Sequence, residues 1–308
     1  MKIVHPDYFG DFHCIADQCQ HSCCIGWEID IDEESLRKYQ NLTGEFSKKI
    51  QQHIALEETP HFILGAGERC PFLNQDNLCE MILQLGEDSL CQICTDHPRF
   101  RNFFSAYTEV GLGLCCEAAG QLILSQKHPF SLPPKEEGRL LPEEAFFFQL
   151  RDEVFFIVQN RCQSLSERID MLCKRFSLSF PKKTYRQWAS TFLSLEQLDE
   201  NWSKRILKLA KTEKITPLED EWETPLEQLL CYFIYRHLAG GIIDGDYRER
   251  LLFSLLGTFV IHALASLTKS EQGTLSMRDF VEIARLYSSE IEYSEENTEM
   301  LLHLFREE

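Results

Sequence analysis

The sequence predicts a mainly α protein in which an irregular, cysteine-rich, metal-binding N-terminal module packs on an all-helical C-terminal bundle. Ten of the 13 cysteines lie between Cys14 and Cys116. A proline-rich stretch runs over residues 128–142, and every segment beyond it has apolar residues at helical spacing. We therefore predict a module over residues 1–127, a linker over 128–142 and a helical domain over 143–308.

The predicted N-terminal module contains short elements separated by turns. Residues 24–31 alternate apolar and polar side chains, which is typical of a half-buried strand. Asp32 follows as the predicted N-cap of a short helix. A second strand is expected at residues 61–64, and helices are expected at 80–85 and 116–124.

Helices account for all predicted structure beyond the linker. Ser276 and Asp279 form a capping box at the start of one helix, and Ser294 caps the last helix. The other helices are predicted at residues 143–161, 164–176, 184–197, 202–212, 224–239 and 247–268. The last of these holds the longest uncharged segment, but polar residues interrupt it, so it is predicted to be a buried core helix.

The net charge and the first residues of the chain bear on the partners and the location of the protein. Lysine and arginine total 31 against 49 acidic residues, which gives a net charge of -18. Such a surface repels phosphate backbones and anionic lipids, so neither nucleic acid nor a membrane is an expected partner. The first twelve residues lack the apolar core of a secretory signal, and we expect a cytoplasmic protein.

The clustered cysteines indicate a metal site. Disulfides rarely persist in the cytosol, and thiolates at short spacing suit zinc or an iron–sulfur cluster with four ligands per site. The spacing does not identify the metal, and burial of the cysteines as small apolar residues is the alternative. The last three cysteines sit singly in helical patterns and are predicted to be core residues: Cys162, Cys173 and Cys231.

Several of these motifs resemble a known family. The stretch Cys14–Cys24 and the segment from Cys70-Pro-Phe-Leu to Cys79 resemble the CxxCxxCC group of zinc- or iron-chelating domains, and Cys23-Cys24-Ile-Gly-Trp27 matches the narrower family named next. More narrowly, the chain is similar to flagellin lysine-N-methylases. That similarity extends to Tyr232-Phe-Ile-Tyr-Arg-His237 and to residues 287–297 in the helical half.

The resemblance implies transfer of a methyl group from S-adenosylmethionine to lysine side chains of flagellin. It also implies an iron–sulfur cluster, which we favour as 4Fe-4S over zinc. Flagellin is then the protein partner. Cys91 and Cys116 lie outside the family pattern. The cysteines that match it are the expected metal ligands: Cys14, Cys19, Cys23, Cys24, Cys70, Cys79, Cys94 and Cys115.

The sequence does not show where the methyl donor binds. A glycine-rich turn at residues 65–67 is followed by Cys70-Pro71 where a helix should begin, and no alternating strand–helix pattern supports a doubly wound sheet. Candidate catalytic residues that could attract or deprotonate a lysine are Tyr235, Arg236, Glu290 and Glu292, with Tyr293 beside them. Core packing of Tyr235 and pairing of Glu290 with Arg285 are the alternatives.

The leading functional prediction is therefore a protein-lysine methyltransferase of flagellin. One alternative is a non-catalytic zinc- or iron-chelating protein with a structural or interaction role, in which the cysteines only brace the fold. Another is a redox enzyme whose cluster delivers electrons. An exposed cluster with an open iron position would favour either enzyme, whereas a closed site would favour the structural role.

Overall fold

The computed structural model describes residues 2–133 and 140–306, and it confirms a mainly helical protein. The strands are β1 (Lys2–Val4), β2 (Ile54–Ala55), β3 (His61–Phe62), β4 (Arg99–Phe103) and β5 (Tyr107–Leu112). The helices before the linker are α1 (Glu33–Asn41), α2 (Glu45–Gln52), α3 (Glu80–Leu85), α4 (Gln92–Asp96) and α5 (Glu117–Leu124). Those after it are α6 (Pro142–Val158), α7 (Leu165–Arg175), α8 (Tyr185–Leu193), α9 (Glu200–Ala210), α10 (Glu223–His237), α11 (Gly241–Asp244), α12 (Tyr247–Gln272), α13 (Met277–Tyr287) and α14 (Glu295–Leu304).

Packing divides the chain into two compact units. The small unit is His13–Arg99, and the large unit contains the described residues of Met1–Phe12 and Phe100–Glu308. Residues 100–127, which we assigned to the N-terminal module, thus lie with the helices, because α5 packs on α10 and α13. Residues 134–139 of the predicted linker lie outside the described residues.

The small unit has its own apolar core. It includes the antiparallel pair β2–β3, in which Ile54 faces Phe62. The Asp32 side chain accepts the Ser35 N–H at 2.9 Å, which confirms the predicted cap of α1. The predicted strand at residues 24–31 does not form a continuous ladder; only Ile25 and Asp30 make isolated bridges, so this segment runs as irregular chain between turns.

The large unit is built around α10 and α12. β1 pairs in parallel with β5, and the strand order of this sheet is β1-β5-β4. A Cβ at Gly257 of α12 would lie 2.8 Å from the Phe233 ring of α10, so glycine permits the close approach of these two helices. α12 is long and apolar enough to cross a membrane, yet 83% of its most apolar window is buried inside the protein, as predicted for a core helix.

The predicted C-terminal helices are confirmed, with differences at their ends. The capping box of Ser276 and Asp279 begins α13, and Ser294 caps α14. α8 ends at Leu193, four residues before the predicted end, whereas α12 continues to Gln272. Gly273 then ends α12 in the left-handed conformation, at φ 81°.

Candidate functional site

Five cysteines share the core of the small unit. Cys70 and Cys91 are buried in this core, and Cys24, Cys79 and Cys94 pack against it. Four chain segments bring them there. Cys24 and Cys70 lie on two separate segments before α3, Cys79 is the N-cap of α3, and α4 contributes its N-cap Cys91 and, within the helix, Cys94. These five cysteines thus lie in or against one apolar core, and their grouping as metal ligands stays a prediction.

Backbone hydrogen bonds hold these segments in register. The Cys70 N–H donates to the Cys24 carbonyl oxygen at 2.8 Å. Cys79 faces Leu73 in a bridge closed by an Asn74 turn, whose side chain accepts the Leu78 N–H at 2.9 Å. The Asp32 carboxylate accepts the Gln92 N–H at 2.8 Å and so ties the start of α4 to the cap of α1.

The thiols influence one another electrostatically. A hydrogen bond from Cys23 lowers the pKa of Cys24 to about 7, against the effect of burial and with help from Ser22 and the charge of Arg69. A hydrogen bond from Cys94 likewise lowers the pKa of Cys91. Burial raises the pKa of Cys70 to about 12, and the charges of neighbouring thiolates add to that rise. A bound cation would relieve this repulsion, since a metal ion deprotonates its thiol ligands.

The chemistry of these donors fits a zinc ion or an iron–sulfur cluster, because buried thiolates are the ligands of both. Within residues 2–133 and 140–306, however, no three His, Cys, Asp or Glu side chains are already arranged as metal ligands. Cys14 is exposed, and Cys19 and Cys23 are partly exposed. Assignment of the eight pattern cysteines as ligands therefore stays a prediction.

A buried polar network lies in the large unit, around Glu292. Its carboxylate accepts a hydrogen bond from the Tyr232 hydroxyl at 2.8 Å, and His237 Nε2 lies 2.5 Å from the other oxygen. Arg236 Nε lies 3.4 Å from the same carboxylate, and its Nη1 donates to the Tyr232 hydroxyl at 2.9 Å. The Leu114 N–H also donates to that hydroxyl, at 3.2 Å.

Aromatic rings enclose the Arg236 guanidinium. It lies 5.1 Å from the centre of the Phe100 ring and 4.8 Å from that of Tyr293, distances typical of cation–π contacts. Tyr293 is 47% exposed, so solvent reaches the network at this ring. Its hydroxyl hydrogen-bonds the Cys115 thiol, and burial raises the pKa of that thiol to about 12.

Glu292 is charged in this setting. Burial acts to raise its pKa, but the charge of Arg236 and the hydrogen bond and charge of His237 lower it to about 2. Glu292 ends a π-helical turn, Ser288–Glu292, which follows α13 and directs the carboxylate into the interior. Such turns are frequent at functional sites.

The four predicted catalytic residues do not form one group. Arg236 and Glu292 are together in the network. Tyr235 is buried, and its hydroxyl donates to the Val110 carbonyl oxygen at 3.2 Å. This is the environment expected under the alternative that Tyr235 is a core residue. Glu290 accepts the backbone N–H groups of residues 198 and 199 at 2.8 and 2.9 Å.

Glu290 does not pair with Arg285, the partner expected if its role is structural. Arg285 pairs with Glu282 at 2.8 Å, one helical turn away. Glu290 is instead held by the loop that precedes α9. Catalytic roles for Tyr235, Arg236, Glu290 and Glu292 stay predictions.

Two residues of the network and one thiol of the small-unit core were not among the site residues predicted from the sequence. Tyr232 and His237 lie in a segment that carries the family resemblance, but neither was predicted as a site residue, and the sequence of α10 does not show that they face a carboxylate. Cys91 had a signal, its CxxC spacing to Cys94. Of the late cysteines, Cys231 is buried as predicted, whereas Cys162 is exposed, because it lies in the turn between α6 and α7.

Comparison with known proteins assigns the C-terminal part of the chain. Residues 170–308 match the family model of the FliB lysine N-methylase C-terminal domain. This region is thus similar to the C-terminal domain of FliB lysine N-methylases. Arg236, His237 and Glu292 lie inside the matched region, and the thiols of the small unit lie outside it.

Curated relatives agree with this assignment. Proteins named lysine-N-methylase from Salmonella choleraesuis (strain SC-B67) and Salmonella typhimurium (strain LT2) are each 27% identical over 142 residues, which is 44% of this chain and 35% of the relative. The flagellar biosynthetic protein FliU of Salmonella muenchen is 26% identical over 143 residues, 44% of this chain and 85% of the relative. The match thus spans about a third of the length of the two lysine-N-methylases. No solved structure matches the chain.

Proposed function

We propose that the protein is a protein-lysine N-methyltransferase that acts on flagellin in the cytoplasm. The observation that carries this proposal is the match of residues 170–308 to the FliB lysine N-methylase C-terminal domain. The names of the relatives, lysine-N-methylase and flagellar biosynthetic protein, support both the activity and the flagellar substrate. S-adenosylmethionine is the proposed methyl donor.

The Glu292 network is the proposed part of the active centre in the large unit. Methyl transfer needs a neutral amine, and free lysine has a pKa of ~10.4. Glu292, with a pKa of about 2, is a poor proton acceptor near neutral pH. Its role is therefore to hold Arg236 and Tyr232 in place. Tyr293, the network residue that solvent reaches, is where the stem of a lysine side chain would pack.

A cysteine-ligated iron–sulfur cluster in the small unit is the proposed cofactor. The thiols that share the small-unit core would hold it, and Arg69, which already lowers the pKa of Cys24, would offset its negative charge. When bound, such a cluster supplies an electron-transfer centre and ties the four cysteine-bearing segments together. The donor chemistry fits this group, although ligand geometry is not formed in advance among the described residues.

A non-catalytic, metal-braced protein is the second candidate. It is favoured by the burial of Cys70 and Cys91, since a closed four-thiolate site stabilises a fold without reacting. The two candidates differ in their need for a methyl donor. They also differ in the residues that they require: bracing needs only the thiols, whereas the methyltransferase also needs the Glu292 network.

The deciding experiment begins with anaerobic purification and analysis of iron, zinc and acid-labile sulfide. About four irons and four sulfides per chain would support the cubane cluster. The same preparation is then incubated with S-adenosylmethionine and flagellin, and lysine methylation is mapped by mass spectrometry. Methylated lysines support the methyltransferase; bound metal with no methylation, with and without S-adenosylmethionine, supports the bracing role and refutes the enzyme.

A further inference from the structure

Cys91 lies outside the family cysteine pattern, yet it is buried in the same core as other thiols. It is 1% exposed, in a core that it shares with Cys70. Cys24, Cys79 and Cys94 pack against this core, and Cys94 donates a hydrogen bond to the Cys91 sulfur. The two sulfurs of this CxxC pair are thus already neighbours.

We propose that Cys91 is a metal ligand of the small unit, completing a thiolate set with members of the group Cys24, Cys70, Cys79 and Cys94. This inference rests on the proposed cofactor and names a ligand that the family pattern omits. Its chemistry suits a soft, thiolate-binding centre, either a zinc ion or an iron–sulfur cluster.

The position of Cys91 on its helix supports this role. Cys91 is the N-cap of α4, and the Gln92 N–H beside it is held by the Asp32 carboxylate at 2.8 Å. This contact links residues 60 positions apart and fixes where the Cys91 side chain enters the core. The Cys91 carbonyl oxygen accepts the Thr95 N–H at 3.0 Å, so the backbone on both sides of the sulfur is restrained.

Cys115, which does belong to the family pattern, has different neighbours. Its thiol hydrogen-bonds Tyr293, and the charge of Arg236 acts to lower its pKa; both residues belong to the large unit. The small unit therefore contains four pattern cysteines and one further thiol, Cys91, in or against the same apolar core. A site built within that unit has enough thiols for four ligands without any from elsewhere in the chain.

The test is metal retention in Cys91→Ser, measured on the full chain after anaerobic purification and dialysis against a chelator. Cys231→Ser is the matched control, since Cys231 is also fully buried (0%) but lies in the large-unit core, remote in sequence from the thiol group. Removing a ligand should lower retained metal at least about tenfold, because even partners outside the ligand set typically change affinity 10–100-fold. Cys231→Ser should retain the wild-type metal content.

A second measurement covers the case in which Cys91→Ser does not fold. Native wild-type protein is alkylated before and after metal removal, and each cysteine is scored by mass spectrometry. Cys91 is buried even without metal, so the readout is a rate: it should be labelled at least about tenfold more slowly with metal bound than after metal removal, whereas the rate for the equally buried Cys231 should not change. Equal labelling of Cys91 in the two states, or full metal in a folded Cys91→Ser variant, would overturn the inference.

These results separate the inference from the proposed function. Metal-replete Cys91→Ser protein would remove Cys91 from the ligand set and leave the cofactor proposal standing. Wild-type protein that neither carries iron or zinc nor takes up either metal would refute the cofactor and the ligand together. Methylation of flagellin is scored independently in each case, so loss of the enzyme proposal has its own readout.

Discussion

Replacing Glu292 by glutamine should destabilise the large unit by about 3 kcal/mol near neutral pH. The Glu292 side chain is fully buried (0%), and Arg236 Nε and His237 Nε2 lie 3.4 and 2.5 Å from its carboxylate. These partners lower its pKa from the ordinary 4.5 to about 2. That difference corresponds to about 3 kcal/mol at ~1.4 kcal/mol per pH unit. Breaking a buried ion pair costs a similar ~3–5 kcal/mol, because the remaining charge is left uncompensated.

The lowered pKa of Glu292 also determines how the stability loss should depend on pH. A carboxylate with a lowered pKa contributes stability above its unfolded pKa and loses it as the pH falls through the folded value. For Glu292 the contribution is present above about 4.5 and declines toward about 2. The difference in free energy of unfolding between wild type and Glu292→Gln should therefore be full at pH 7 and shrink below pH 4.5.

The assay is urea unfolding followed by circular dichroism at pH 7 and at steps down to about pH 3. Glu200→Gln is the control, since Glu200 forms an exposed pair with Lys204 at 3.0 Å and its loss should cost no more than about 0.5 kcal/mol. A Glu292→Gln variant within 1 kcal/mol of wild type at pH 7, or a difference that persists unchanged in acid, would refute the reasoning.

Three further predictions test the two units. Gly111→Ala should cost about 1–3 kcal/mol in thermal or urea unfolding, because a Cβ there would overlap the Phe100 ring; an unchanged midpoint would contradict that packing. Glu290→Gln should cost about 1–3 kcal/mol, since one of two backbone N–H groups loses its acceptor, and methylation should fall only with the folded fraction. A specific loss of methylation in fully folded Glu290→Gln would instead indicate a catalytic role. Cys24→Ser should lower the metal content of anaerobically purified protein at least about tenfold, whereas metal-replete folded protein would remove Cys24 from the ligand set.

Local sequence rules determined most of the helices and their caps. Ser276 with Asp279 and the side chain of Asp32 were predicted as caps and act as caps, because these contacts join residues only three apart. The buried state of α12 also followed from its composition and length. Such features depend on neighbours along the chain, which a sequence displays directly.

The strand expected at residues 24–31 did not form, because strand formation depends on a partner that local sequence patterns do not specify. Its alternating pattern is real, but a strand needs a continuous partner, and the structure supplies only isolated bridges at Ile25 and Asp30. The assignment of residues 100–127 differs for the same reason. Their cysteines suggest the N-terminal module, whereas the helices that pack against α5 come from later in the chain.

The sequence by itself determined a mainly helical chain, a set of early thiols, and the family resemblance that its C-terminal region bears out. Tertiary structure decided which of these residues meet. Arg236 and Glu292 are 56 residues apart and form one buried pair, while Glu290, only two residues before Glu292, holds a different loop. Residues two positions apart on a helical turn do not face each other, so the two carboxylates reach different partners. Next to Cys91, the Gln92 N–H donates to Asp32, 60 positions earlier in the chain, and no local pattern encodes a contact between residues so far apart.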